Sequence, residues 1–241
     1  MNRPRPVVST REPRPRWWWR SILAGAIVTT LILGGQWVLH RSFFNVQSIV
    51  VTGNVHETRE QVIAQAGLTT HVAMIDVNEA NISRRLALMP WVARAVVSRQ
   101  WPHSLSVVIT ERRPVAIAAR GPTYELVAED GVDLGPAPRG TNLPTLIASS
   151  GQWPYRGLAR DLVTVAATLP RAFSAQVATI SQRPASGIRL TMTTPVTFIL
   201  GPATDLTAKY EDVASVLAHE KLVAGDVVDV TVPSAVAISG P

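Results

Sequence analysis

Apolar and polar positions follow different periods along the chain, and each period predicts an element. From Ser21 to Leu39 no charged residue occurs. As a helix rising about 1.5 Å per residue, that run reaches roughly 28 Å, close to one hydrocarbon thickness of a bilayer. Ile22, Leu23, Ile27, Val28, Leu31, Ile32, Leu33, Val38 and Leu39 each favour insertion by about 0.3–0.6 kcal/mol, offsetting Thr29, Thr30 and Gln36. Val46 to Thr52 is β-branched and closed by Gly53-Asn54, which reads as a strand entering a turn. Thr58 and Gln61 form a capping-box pattern ahead of Val62 and Ala66, with Gly67 as a left-handed stop, predicting a short helix. A second helix is predicted over Val77 to Met89, its start marked by Asp76 and Glu79, its apolar stripe by Ile82, Leu86 and Met89, and its end by Pro90.

Ala93, Ala95 and Val97, then Leu105, Val107 and Ile109, alternate with their neighbours on either side of Trp101-Pro102-His103-Ser104, so they predict a β-hairpin. The order strand, helix, helix, strand, strand over residues 45–113 describes a small α+β unit with two helices on one sheet face. Glu111-Arg112-Arg113-Pro114 ends it, because Pro supplies no donor to the preceding strand and begins a new segment. Beyond lie a hairpin around Glu129-Asp130-Gly131, a polar, Pro-rich passage from Gly135 to Pro154, and a helix near Leu158 to Leu169. A meander follows over 176–182, 188–193 and 196–200. A helix faced by Leu206, Tyr210, Val213 and Leu217 precedes a last strand over Val227 to Val232, stopped by Pro233. Residues 234–241 read as a frayed tail.

Charge adds topology. The net charge of +6 is concentrated in residues 1–20, where six arginines stand against the single Glu12. The remainder is nearly neutral, which excludes the broad basic surface a nucleic-acid binder needs to neutralise phosphates. Trp17, Trp18, Trp19 and Arg20 at one end of the apolar run, with Trp37 and Arg41 at the other, are residue types that sit at membrane interfaces. The arginine-rich flank predicts a cytoplasmic N-terminus and export of the rest through a single-pass anchor over 21–39. A cleavable signal peptide fits less well, since the run ends in Gln36-Trp37-Val38-Leu39 without a small-x-small site.

Chemistry is sparse. The chain has no Cys, which excludes disulfides, thiolate metal sites and cysteine nucleophiles. Dinucleotide, P-loop, HxxxH and GxSxG patterns are absent, and Glu129-Asp130 and Glu211-Asp212 are adjacent pairs whose side chains diverge. The sequence therefore predicts no catalytic residue, no cofactor and no metal.

An ordered set of motifs resembles one family: Phe44-Asn45-Val46 leading into Ile49-Val50-Val51-Thr52-Gly53-Asn54, then Ile75-Asp76, Met89-Pro90-Trp91-Val92, Arg99-Gln100-Trp101-Pro102, Glu111-Arg112-Arg113-Pro114-Val115-Ala116, Glu129-Asp130-Gly131-Val132 and Val228-Asp229-Val230-Thr231-Val232-Pro233. Together these resemble the bacterial cell division family FtsQ/DivIB. The resemblance implies an α+β protein with an N-terminal anchor, a βααββ POTRA domain at 45–113 and a mixed α+β domain, the family's β domain, on an antiparallel-rich sheet at 114–233. It implies a non-enzymatic scaffold at the division septum that links early and late divisome components by binding FtsB and FtsL, and connects them to septal peptidoglycan synthesis. By the same resemblance, the FtsB contact is expected at a sheet edge formed by Val227, Val228, Asp229, Val230, Thr231 and Val232, where unpaired backbone groups would receive a partner strand. A membrane-tethered cell-wall enzyme and a POTRA-type chaperone for exported chains are the alternatives.

Overall fold

The computed structural model describes residues 17–39, 44–70, 72–148, 159–184 and 186–240. The arginine-rich residues 1–16, Arg41 and residues 149–158 lie outside them. Helix α1 runs Trp17–Leu39, and every side chain from 19 to 37 is exposed. Among the described residues no helix is long and apolar enough to cross a membrane; α1 carries Arg20 towards one end and Gln36 towards the other.

The first module is a three-stranded sheet with two helices. Strand β1 (Ser48–Thr52) runs parallel to β3 (Ser104–Glu111), which pairs antiparallel with β2 (Val92–Gln100). Helix α2 (Arg59–Ala66) has the expected capping box, with Thr58 accepting from the Gln61 backbone and Gln61 accepting from Thr58 N, and Gly67 ends it at φ 65°. Helix α3 (Glu79–Leu86) is shorter than its stripe predicts. Its cap is Asn78, which accepts from Asn81 N at 2.9 Å, and Met74–Asp76 forms a separate 3₁₀ turn. The Asp76 start is thereby corrected: Asn78 Oδ1 answers one of the N–H groups that a helix start leaves unpaired. Val62, Ala66, Ile82 and Leu86 from the helices meet Val92, Leu105, Val107 and Ile109 from the sheet in one core. A bulge between Val92 and Arg94 breaks the expected alternation, turning Ala93 to solvent.

The second module is a nine-stranded sheet of order β12-β11-β10-β9-β8-β7-β4-β5-β6. Its strands are β4 (Pro114–Arg120), β5 (Thr123–Ala128), β6 (Asp133–Pro136), β7 (Thr145–Ile147), β8 (Val177–Arg183), β9 (Gly187–Met192), β10 (Thr197–Gly201), β11 (Val227–Asp229) and β12 (Ala237–Ser239). The β5–β6 hairpin and the β8-β9-β10 meander agree with the periodicity. Pro114 opens β4 as its first residue, a place where the missing donor costs little, and the Pro-rich passage contains β7. Helices α4 (Ala159–Thr168), α5 (Arg171–Ser174) and α6 (Leu206–His219) share the sheet's core through Leu162, Val165, Phe173, Tyr210 and Val213. Helix α6 also buries Lys209, which the apolar stripe did not include; its Nζ donates to Pro202 O at 2.9 Å. Burial lowers the pKa of that ammonium, an effect partly opposed by Asp205.

The two modules meet at a defined joint. Trp91 packs with Leu126, Ala128 and Leu134. Arg112, just past β3, donates from Nε to Asp130 Oδ2 at 2.7 Å and from Nη1 to Pro90 O at 2.8 Å.

Candidate functional site

The sheet edge expected at Val227–Val232 is one strand away from its place. Strand β11 runs parallel to β10 with Thr197↔Val227, Phe198↔Val228 and Ile199↔Asp229, and its other side is covered by antiparallel β12 with Val227↔Ser239, Val228↔Ile238 and Asp229↔Ala237. Val228 and Val230 are 0% exposed and belong to the core. The strand ends at Asp229, whose Oδ1 accepts from Thr231 N at 2.8 Å and curls the chain into a turn. Thr231 is half-buried against Gly201, Val232 is exposed, and neither is in a strand. The edge reading for residues 227–232 is corrected accordingly: the tail folds back after Pro233, and its backbone takes the pairing that β11 would otherwise offer.

The true edge is β12. Its return is pinned by Ser234 N donating to Asp212 Oδ2 at 2.9 Å and Ser239 Oγ donating to Val227 O at 3.1 Å. Backbone polarity along β11 decides which groups remain open. Asp226 O accepts from Thr197 N at 3.0 Å and Val230 N donates to Ile199 O at 3.0 Å. Even-numbered residues therefore point their backbone groups at β10, and Val227 and Asp229 point theirs at β12. The pairs Val227↔Ser239 and Asp229↔Ala237 are the bonded ones, so Ile238 directs its N–H and C=O outward. All three β12 residues are exposed, with Ile238 at 47%. This edge was missed because Ala235 to Gly240 is short and small, without the strong alternation that marks a strand.

Beside it, an open cleft of about 590 Å³ lies over the ends of β8 to β11, lined in part by Arg183, Gly187, Gly201, Asp229 and Thr231. Among the described residues no group of His, Asp and Glu is placed to hold a metal ion. Of the membrane-interface residues, Trp19, Arg20 and Trp37 are exposed on α1. Trp17 and Trp18 belong to the helix, but their side chains, like Arg41, lie outside what the structure describes.

Residues 44–112 match the family POTRA domain, FtsQ-type. The cell division protein FtsQ of Streptomyces griseus is 30% identical over 208 residues, covering 82% of this chain and 98% of that relative. The chain belongs to the FtsQ/DivIB family of cell division proteins. Its FtsQ relative in Streptomyces bingchenggensis (strain BCW-1) is 28% identical over 230 residues, 91% of this chain and 86% of the relative. FtsQ of Mycobacterium leprae (strain Br4923) is 31% identical over 173 residues, and the chain spans 50% of its length. Among solved structures, the major extracytoplasmic domain of the cell division protein DivIB from Geobacillus stearothermophilus is similar at 18% identity and a TM-score of 0.33, covering 47% of this chain and 99% of that one. Within the family frame the chain is a mixed α+β protein, a POTRA domain followed by a sheet-rich domain, with a role in cell division.

Proposed function

We propose that this FtsQ-family chain is a single-pass membrane scaffold of the septum that captures an FtsB-type partner by strand addition at β12. The observation that carries this reading is the outward backbone of Ile238 at the exposed end of a nine-stranded sheet. An edge of this kind receives an extended segment through main-chain bonds, with side chains setting specificity. A bound FtsB-type strand would bring its FtsL-type companion and, through them, the septal peptidoglycan machinery. Residues Val227–Asp229 then serve from inside, holding β12 in register.

Anchoring rests on α1. A helix that is apolar around its circumference and exposed from Trp19 to Trp37 has no amphipathic face to lay on a protein surface, and it suits an apolar surrounding. With the arginines of residues 1–20 held inside, both modules would lie outside the cytoplasm. The reading also accounts for a chain whose polar side chains form joints and turns: the scaffold does its work through shape and backbone.

The test uses the full chain purified from membranes with an FtsB-type partner. A photocrosslinking residue at position 238 is expected to give an adduct with that partner. Ile238→Pro removes the outward N–H while leaving the two bonded pairs to β11, and should reduce capture without altering the far-ultraviolet dichroism. Undiminished capture by the folded Ile238→Pro chain would overturn the β12 placement.

A further inference from the structure

Three segments meet where the chain passes from α1 into the first module. Asn45 bridges Ala73. Val46 N donates to Val72 O at 2.9 Å, and Gln47 N and Ser48 N donate to His103 O at 2.8 and 3.3 Å. The Phe44 ring stands edge-on to Trp101 with centroids 6.2 Å apart. Trp101 is nevertheless 52% exposed at the tip of the β2–β3 turn, an unusual place for the largest apolar side chain unless something covers it.

Covalent connection places that tip. Four residues separate Leu39 from Phe44, so Phe44 lies within about 18 Å of the end of α1 whatever path they take. The charge pattern agrees. Residues 40–48, 68–73 and 99–104 contain no Asp or Glu, although the chain holds 17 acidic residues. This end of the module offers an anionic headgroup layer aromatic rings, and the Glu79 carboxylate that reaches it is paired with Arg99, accepting from its backbone N–H at 3.0 Å with Nη1 3.5 Å away.

We propose that the Trp101-Pro102-His103 turn, with Phe44, rests in the headgroup region of the bilayer and forms an aromatic foot that fixes the height of the first module over the membrane. This rests on the reading of α1 as an anchor. An indole is suited to that layer because its ring is apolar and its N–H is polar. The foot and the anchor are joined by so short a tether that insertion of one delivers the other, with little entropy left to lose.

The absence of Cys permits a direct test with the full chain in phosphatidylglycerol-containing liposomes. Single cysteines are placed at Gln100→Cys beside the foot, at Val55→Cys towards the opposite end of the β1–β3 sheet, and at Ile27→Cys within α1, each carrying a fluorophore. Nitroxide lipids labelled at the headgroup are expected to quench the label at position 100 and spare that at 55. Adding Trp101→Ser should abolish the quenching at 100. Equal quenching at positions 100 and 55, or quenching at 100 indifferent to Trp101→Ser, would overturn the foot. The label at 27 separates the two readings: its quenching by acyl-chain nitroxides with none at 100 keeps the anchor and removes the foot. No quenching at 27, with quenching at 100 that depends on Trp101, removes the anchor and keeps the foot as a peripheral contact.

Discussion

His56 lies flat on Trp91, with ring centroids 3.7 Å apart and planes 8° apart, while its Nδ1 sits 2.7 Å from Glu111 Oε2. Glu111 Oε1 also accepts from Val55 N at 2.6 Å and His56 N at 2.9 Å. Burial pushes the Glu111 carboxyl up, but the bonds from the His56 side chain and from the backbone of Val55, His56 and Glu57 outweigh it and hold the group below its ordinary 4.5. A depressed carboxylate contributes stability that is complete above the unfolded value and is lost as pH falls through the folded one. Glu111→Gln should therefore destabilise the chain by about 1–3 kcal/mol at neutral pH. It should also remove part of the acid sensitivity below about pH 4.5. Urea unfolding of both proteins across a pH series measures it; parallel curves would show that the ionised carboxylate contributes nothing specific.

Gly187 and Gly201 face each other across the β9–β10 pair where the register shifts. Gly187 has φ +67°, and a Cβ there would meet the Gly201 carbonyl carbon and oxygen at 2.5 Å. Backbone cannot rotate out of the way as a flexible side chain would. Gly187→Ala should cost more than the about 1–2 kcal/mol of left-handed strain alone. Gly121→Ala is the reference, since Gly121 has φ +61° and no atom stands within 4 Å of the place its new methyl would take. Equal losses of stability for the two variants would mean that the close approach across the sheet carries no weight.

Tyr210 joins α6 to α4, its hydroxyl donating to Val165 O at 3.1 Å and lying 3.0 Å from Thr168 Oγ1. Burial pushes its pKa up to about 12 against a small lowering from Thr168. The folded state therefore holds this proton more tightly than the unfolded chain does, and the resulting stability is full below about pH 10 and lost between about 10 and 12. Tyr210→Phe should cost about 1 kcal/mol at neutral pH by leaving Val165 O without this donor. Over the alkaline range its unfolding midpoint should fall less steeply than that of the parent, read by denaturant titration at successive pH values.

Local chemistry was legible wherever both partners lie within a few residues. Thr58, Gln61 and Gly67 specify the ends of α2 through bonds and a backbone conformation that need no tertiary context, and the β2–β3 hairpin shows in its alternation because one face meets a core. The family resemblance, carried by motifs in order, agrees with the POTRA match over 44–112. The bulge at Ala93 escaped because one inserted residue inverts a period-two pattern without leaving a mark in composition. Lys209 escaped because its burial depends on Pro202 O, supplied by the chain before α6.

The sequence by itself determined the apolar run, the asymmetric arginines, the helix caps and the α+β order, since each follows from neighbours along the chain. Tertiary structure alone decided which strand is last in the sheet. Edge position belongs to the sheet as a whole: Val227 to Val232 has the β-branched pattern of a strand, but only the return of Ala237–Ser239 beside it determines whether its backbone bonds face the protein's own tail or a partner.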